Sequence, residues 1–209
     1  MGMMIKQMWL AQTVMQSDWQ IGRGLFTSMV NGEALRSMKA PGTAYDDPVL
    51  GRDPQPAHMR YVFTADDNGG VHINSGILNH AFFLTATRLG GHSWDVAGWL
   101  WYVVLEERLS PKATFQDFAN ATVLLAGQKF GFGGHVQTTV ADAWAEVGLQ
   151  VPLSLIKGGP GSRRWRFTDR RPHLSTTNRG GCGDTPASLT PPYGGTERKN
   201  HEHWIRSFQ

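Results

Sequence analysis

The chain has a single cysteine, Cys182, so no internal disulfide can belong to its framework. It has no apolar run near the ~18 residues that a membrane-spanning helix needs. Its opening residues show no basic segment followed by an apolar one, so no signal peptide is read there and no export route is visible. What is present is enough for a real core. Hydrophobic residues make up 40% of the 209 residues, and eight of them are tryptophans. That length suits one domain with an appendage.

The net charge of +3 hides a division. Residues 1–150 carry ten Lys/Arg and thirteen Asp/Glu, a balance of −3, while residues 151–209 carry ten and four, a balance of +6. The basic part also holds eight Gly and six Pro and shows no helical stripe. The expected organisation is therefore a folded domain over 1–149 and a low-order, basic Gly/Pro/Arg-rich tail over 150–209. Arg163-Arg164-Trp165-Arg166 could touch nucleic acid, but an unstructured tail is the reading preferred, and nucleic acid is not the expected partner. His201-Glu202-His203 lacks further ligands and the spacing of two ligands on one helix face, so it is not read as a metal site.

The domain reads as mainly α. Met1 to Met15 has apolar residues near helical spacing, and Ile77 to Leu89 is a second helix ended by Gly90-Gly91. Ser93 is expected to cap a third helix that carries Trp94, Ala97, Trp101, Val104 and Leu105 on one stripe. Ser110-Pro111 looks like another helix start, and Thr114-x-x-Asp117 opens a helix broken by Gly127 to Gly134. His135 to Val147 follows and stops at Gly148. Four consecutive helices with short connections make a compact multi-helix domain, and their aromatics are read as core. Ala40 to Met59 reads as a proline-stiffened loop. Asp46, Asp47 and Asp53 there are candidate calcium ligands, but their spacing is not that of an EF-hand, and a solvated loop is the commoner explanation.

Two stretches carry chemistry. In Asp66-Asp67-Asn68-Gly69-Gly70-Val71-His72-Ile73-Asn74-Ser75-Gly76 the glycines and Asn68 take positive φ cheaply, so the chain turns sharply. His72 is expected on a short extended piece, with Asn74 and Ser75 capping a helix that starts at Gly76. Asp67, five residues back, can fix the tautomer of His72. In isolation, a hairpin turn with a structural histidine is the commoner explanation of these residues. Glu33 to Met38 reads as a short helical turn presenting Leu35 beside Arg36. A guanidinium there can grip a carbonyl while its neighbour lines a pocket, but on local sequence alone a surface arginine is the preferred reading.

Taken together these stretches resemble the C-terminal half of the thermolysin-like (M4) zinc metallopeptidases. The likeness includes Asp18-Trp19-Gln20-Ile21-Gly22, Ala34-Leu35-Arg36-Ser37-Met38, Asp66 to Gly76, Gly90-Gly91-His92-Ser93-Trp94 and Ala97-Gly98-Trp99-Leu100-Trp101-Tyr102, in order from about Gly2 to Gly148. It implies a metalloendopeptidase fold that is mainly helical here, acting on peptide or protein substrates outside the cell. It implies that His72 donates to the oxyanion of the tetrahedral intermediate and that Asp67 orients the ring, with Asp66 as second choice. It implies that Arg36 binds a substrate carbonyl and Leu35 lines the pocket for the residue after the cut.

The family's zinc and general base come from H-E-x-x-H, and that motif does not occur in this sequence. Gly2-Met3-Met4-Ile5-Lys6-Gln7 matches the segment after the family's third zinc ligand, so the ligands are expected upstream of Met1, in an N-terminal partner half. The expectation is a catalytic-domain half that is inactive alone. The alternative is a non-catalytic peptide-binding remnant using Leu35, Arg36 and His72.

Overall fold

The computed structural model describes residues 1–59, 64–65, 67–107 and 109–157. Asp66 and the basic segments beyond residue 157 lie outside the described residues, as do Cys182 and His201-Glu202-His203. The described chain is mainly α. Its elements are α1 (Gly2–Trp9), β1 (Gln20–Ile21), β2 (Arg36–Ser37), β3 (Asp46–Asp47), β4 (Gly51–Arg52), α2 (Asp67–Leu89), α3 (Ala97–Glu107), α4 (Phe115–Phe130), α5 (His135–Glu146) and α6 (Leu153–Ile156). The strands form two antiparallel two-residue ladders, β1 with β2 and β3 with β4. No helix among the described residues is long and apolar enough to cross a membrane.

The core is built from the aromatic residues of α2 to α5. Trp144 is fully buried and stacks on Trp101, with ring centres 5.4 Å apart and planes 7° from parallel. Phe118 meets both rings edge-on. Phe82 meets Trp101 edge-on at 5.5 Å, so the chain of rings continues into α2. The indole N–H of Trp144 would be costly to bury unpaired. It donates to Thr122 Oγ1 at 2.8 Å.

Helix ends follow local chemistry, and several differ from the periodicity. α4 begins with a full capping box, Thr114 with Asp117. Ser110 and Pro111 instead form a separate turn, Ala113 N–H to Ser110 O. α5 ends as expected at Gly148, whose φ of 90° allows its own N–H and that of Leu149 to reach back to Ala145 and Trp144. α1 ends the same way without a glycine. Ala11 takes φ 51°, and the N–H groups of Ala11 and Gln12 reach Met8 O and Gln7 O. The helix therefore stops at Trp9, six residues before the apolar pattern does. α3 starts at Ala97, four residues after Ser93. The hydroxyl of Ser93 makes no bond among the described residues, and Asp95 takes the His92 N–H instead. Leu105 is half exposed, since α3 buries the Leu100, Trp101 and Val104 side of the helix. Gly127 does not break α4, which runs on to Phe130. A Cβ at Gly127 would overlap the amide of Gln137, so this glycine lets α4 and α5 approach closely.

One face of α1 is left apolar and uncovered among the described residues. Met1, Ile5 and Trp9 recur every four residues and are 48%, 55% and 88% exposed. A stripe of this kind favours association. The isolated chain is expected to self-associate at micromolar concentration. The pair Ile5→Glu with Trp9→Glu is expected to restore a monomer in analytical ultracentrifugation, with a stability change within about 0.5 kcal/mol. A wild-type chain that stays monomeric and melts sharply would contradict this.

Candidate active site

The site is organised by a left-handed turn. Asp67, Asn68, Gly69 and Gly70 have φ of 55°, 50°, 84° and 77° in succession. Left-handed backbone is tolerated by glycine and, among other residues, best by Asn and Asp. The sequence Asp-Asn-Gly-Gly is thus suited to this run. Right-handed helix follows from Val71 onward, so His72 lies in the first turn of α2 and not on an extended piece. The sharp turn was legible, but the start of the helix was misplaced by five residues.

The reason is Asp67. Its Oδ2 accepts the backbone N–H of His72 at 2.8 Å and of Ile73 at 3.3 Å. These are donors that a new helix leaves unsatisfied. Its Oδ1 pairs with Nδ1 of the His72 ring. The ring hydrogen bond, joined by the two amide N–H groups, holds the Asp67 carboxyl below the usual carboxylate range against a weaker opposing effect of burial. Asp67 therefore caps the helix and orients the imidazole with one carboxylate. The His72 side chain is 71% exposed, so its other edge faces solvent.

Asn74 and Ser75 do not cap the helix. The Ser75 hydroxyl donates back to His72 O at 2.7 Å, and Asn74 is fully buried. Gly76 is a crossing point. A Cβ there would sit 2.7 Å from Pro56 O and 2.9 Å from Gln55 Cβ. This contact brings the 41–56 loop against the first turn of α2.

Arg36 reaches the same turn from the other side. It lies in β2, opposite Ile21 of β1, and not in a helical turn. Pairing of Met38 N–H with Trp19 O at 2.9 Å continues the extended path. This cross-strand pairing overrides the local helical pattern of 33–38. Arg36 Nη1 donates to His72 O and to Ser75 Oγ, both at 3.0 Å. Leu35 is 43% exposed beside it, with its Cβ close over Gly22. The structure thus brings Asp67, His72 and Arg36 into one hydrogen-bonded group, with Leu35 adjacent.

Sequence reasoning overlooked Gln55. It is 5% exposed, and its Nε2 donates to His72 O at 2.8 Å and Ser75 Oγ at 3.0 Å. The available signal was a polar residue held rigidly between Pro54 and Pro56.

Asp47 and Asp53 of the 41–53 loop organise backbone, while Asp46 is exposed to solvent as expected. Asp47 accepts N–H groups of Asn31, Val49 and Leu50 at 2.9, 2.8 and 2.9 Å, and the Asn31, Leu50 and Val49 amides hold its carboxyl below the ordinary range. Asp53 accepts from Gly42, Ala44 and Gln55. Both are buried, and their oxygens are committed to amides, which also explains the β3–β4 hairpin where a plain loop was expected. Among the described residues no three His, Cys, Asp or Glu side chains are grouped to hold a metal ion. These residues do not fit a zinc centre.

Several known proteins resemble this chain over most of residues 1–149. The extracellular metalloprotease of Pectobacterium carotovorum subsp. carotovorum is 50% identical over 152 residues, which are 72% of this chain and 43% of that protein. Thermolysin of Alicyclobacillus acidocaldarius subsp. acidocaldarius is 34% identical over 139 residues, 63% of this chain and 24% of that one. The solved precursor of protealysin, a metalloproteinase from Serratia proteamaculans, superposes with a TM-score of 0.68 at 52% identity, covering 71% of this chain and 46% of that one. The chain thus spans less than half the length of these relatives. The family model described as the thermolysin metallopeptidase α-helical domain matches residues 1–149, and the chain belongs to that family of thermolysin-like M4 metallopeptidases.

Proposed function

We propose that this chain supplies the substrate-facing wall of a thermolysin-like peptidase site, with the metal-bearing residues contributed from outside the described ones. The observation that carries this is the Asp67–His72 pair at the start of α2, with Arg36 bonded to the same turn and the imidazole open to solvent. Peptide hydrolysis develops negative charge on the former carbonyl oxygen. Zinc and a general base would supply the activated water in an intact enzyme. The residues of this chain would do the rest. With Nδ1–H committed to Asp67, the outer nitrogen of His72 donates when the ring is doubly protonated, and a donor at that place stabilises the oxyanion. Arg36 keeps Nη2 and Nε for a substrate carbonyl, since only its Nη1 is engaged among the described residues. Leu35, exposed beside it, suits an apolar side chain after the cut. The 1–149 and 150–209 division remains part of this proposal, with the tail outside the catalytic role. The metalloprotease names of the relatives support a peptide or protein substrate, and the extracellular name of one supports the same compartment.

The test is a chimera. Residues 1–149 replace the matching segment of the Pectobacterium relative, and the 209-residue chain alone is assayed beside it. The chimera is expected to cleave a blocked dipeptide amide with leucine second, and the chain alone to bind no stoichiometric zinc and cleave nothing. Hydrolysis and stoichiometric zinc in the chain alone would overturn the division of labour. An inactive but well-folded chimera would favour a peptide-binding role without catalysis.

A further inference from the structure

The carbonyl oxygen of His72 is over-supplied. It has two lone pairs and three side-chain donors within hydrogen-bond distance: Ser75 Oγ at 2.7 Å, Gln55 Nε2 at 2.8 Å and Arg36 Nη1 at 3.0 Å. Ser75 Oγ is filled in the same way. It gives its hydrogen to His72 O and accepts from Arg36 and Gln55, each at 3.0 Å. Gln55 and Arg36 therefore serve the same two acceptors. Arg36 is the more exposed of the two, and Gln55 is 5% exposed under the turn. Removing Arg36 from this cluster leaves two donors on the His72 oxygen and one on the serine, so no acceptor is stranded. Removing Gln55 would leave Arg36 as the one remaining side-chain donor to Ser75 Oγ among the described residues, with Ser75 still donating to His72 O.

We propose that Gln55 is a positioning residue that keeps these acceptors satisfied when Arg36 releases them, so that the guanidinium turns to a substrate carbonyl without stranding a polar group. This rests on the substrate-holding role proposed for Arg36. Gln55 does not touch the peptide. It sets how freely Arg36 leaves its resting bonds.

The test uses the full 209-residue chain and the leucine-containing blocked dipeptide amide, with binding measured by calorimetry. Gln55→Leu fills the same space without donors. It is expected to weaken binding about fivefold, the worth of one hydrogen bond, and to have no further effect in an Arg36→Ala background. Unchanged affinity in Gln55→Leu overturns the proposal, as does an equal loss with and without Arg36. If Arg36→Ala itself leaves binding unchanged, or the wild-type chain binds no peptide, the reading of Arg36 as a substrate group fails and takes this proposal with it. A second readout needs no peptide. Rotation of the Arg36 guanidinium, followed by nitrogen-15 NMR, is expected to slow in Gln55→Leu because Arg36 becomes the one remaining side-chain donor to Ser75 Oγ among the described residues. An unaltered rate overturns the shared-acceptor account even where binding cannot be measured. Gln55→Met serves the same purpose should the leucine variant fail to fold.

Discussion

His72→Ala in the chimera is expected to lower kcat by about 10²–10³-fold, the cost of removing one well-aimed oxyanion donor, about 2.7–4 kcal/mol. KM should change little. The negative charge to which His72 donates exists in the transition state and not in the bound peptide, so the loss belongs to kcat. Arg36→Ala should behave differently. A group that holds a ground-state carbonyl contributes to binding before reaction, so its loss appears mainly in KM. Asp67→Asn should fall between wild type and His72→Ala, because the amide can still cap the helix but no longer gives the ring an anionic partner. Steady-state kinetics on the three variants separates these patterns. A His72→Ala chimera that keeps its kcat would leave the Asp67–His72 pair as a structural cap only.

Trp144→Ala is expected to cost about 3–5 kcal/mol of folding stability, the range for truncating a large buried aromatic. That is a large share of the ~5–15 kcal/mol that a domain has in total. The indole fills the centre of the helical core, stacked on Trp101 at 5.4 Å and met by Phe118 at 5.7 Å. Trp144→Phe should keep most of the ring contact and lose the N–H bond, for about 1 kcal/mol plus a smaller cavity. Urea unfolding midpoints give both values. A loss below about 1 kcal/mol in the alanine variant would show that the core collapses around the gap and that the stack is not central to it. Trp9, 88% exposed on α1, makes the contrast: the same residue type should be nearly silent for stability there.

The difference between these tryptophans shows what a sequence reading reaches and what it does not. Helical periodicity placed Trp101 and Trp144 in the core correctly, since a residue at every third or fourth position must share a face. Periodicity also ran α1 on to Met15. The actual stop at Ala11 uses a positive φ on a residue that does not announce it. Gly127 was read as a breaker for the opposite reason. Glycine breaks a helix when the backbone needs its freedom, but here α4 keeps helical geometry and the glycine makes room for Gln137. Whether a glycine is used for its φ or for its missing side chain depends on the partner that crosses it.

The candidate site divides in the same manner. By itself the sequence determined the family, the left-handed turn at Asn68-Gly69-Gly70 and the pairing of Asp67 with His72, because the residue types that tolerate such a turn are few and the pair is local. It also determined that H-E-x-x-H is absent. Only the tertiary structure decided that Arg36 is on a strand and that it meets His72 over one carbonyl. Arg36 and His72 are 36 positions apart, and Gln55 joins them from a third segment. The physical reason is range. Backbone dihedrals and caps depend on the nearest few residues, so they can be read from neighbours in the chain. A shared acceptor depends on where distant segments are carried by the packing of a whole core, and no local pattern encodes that.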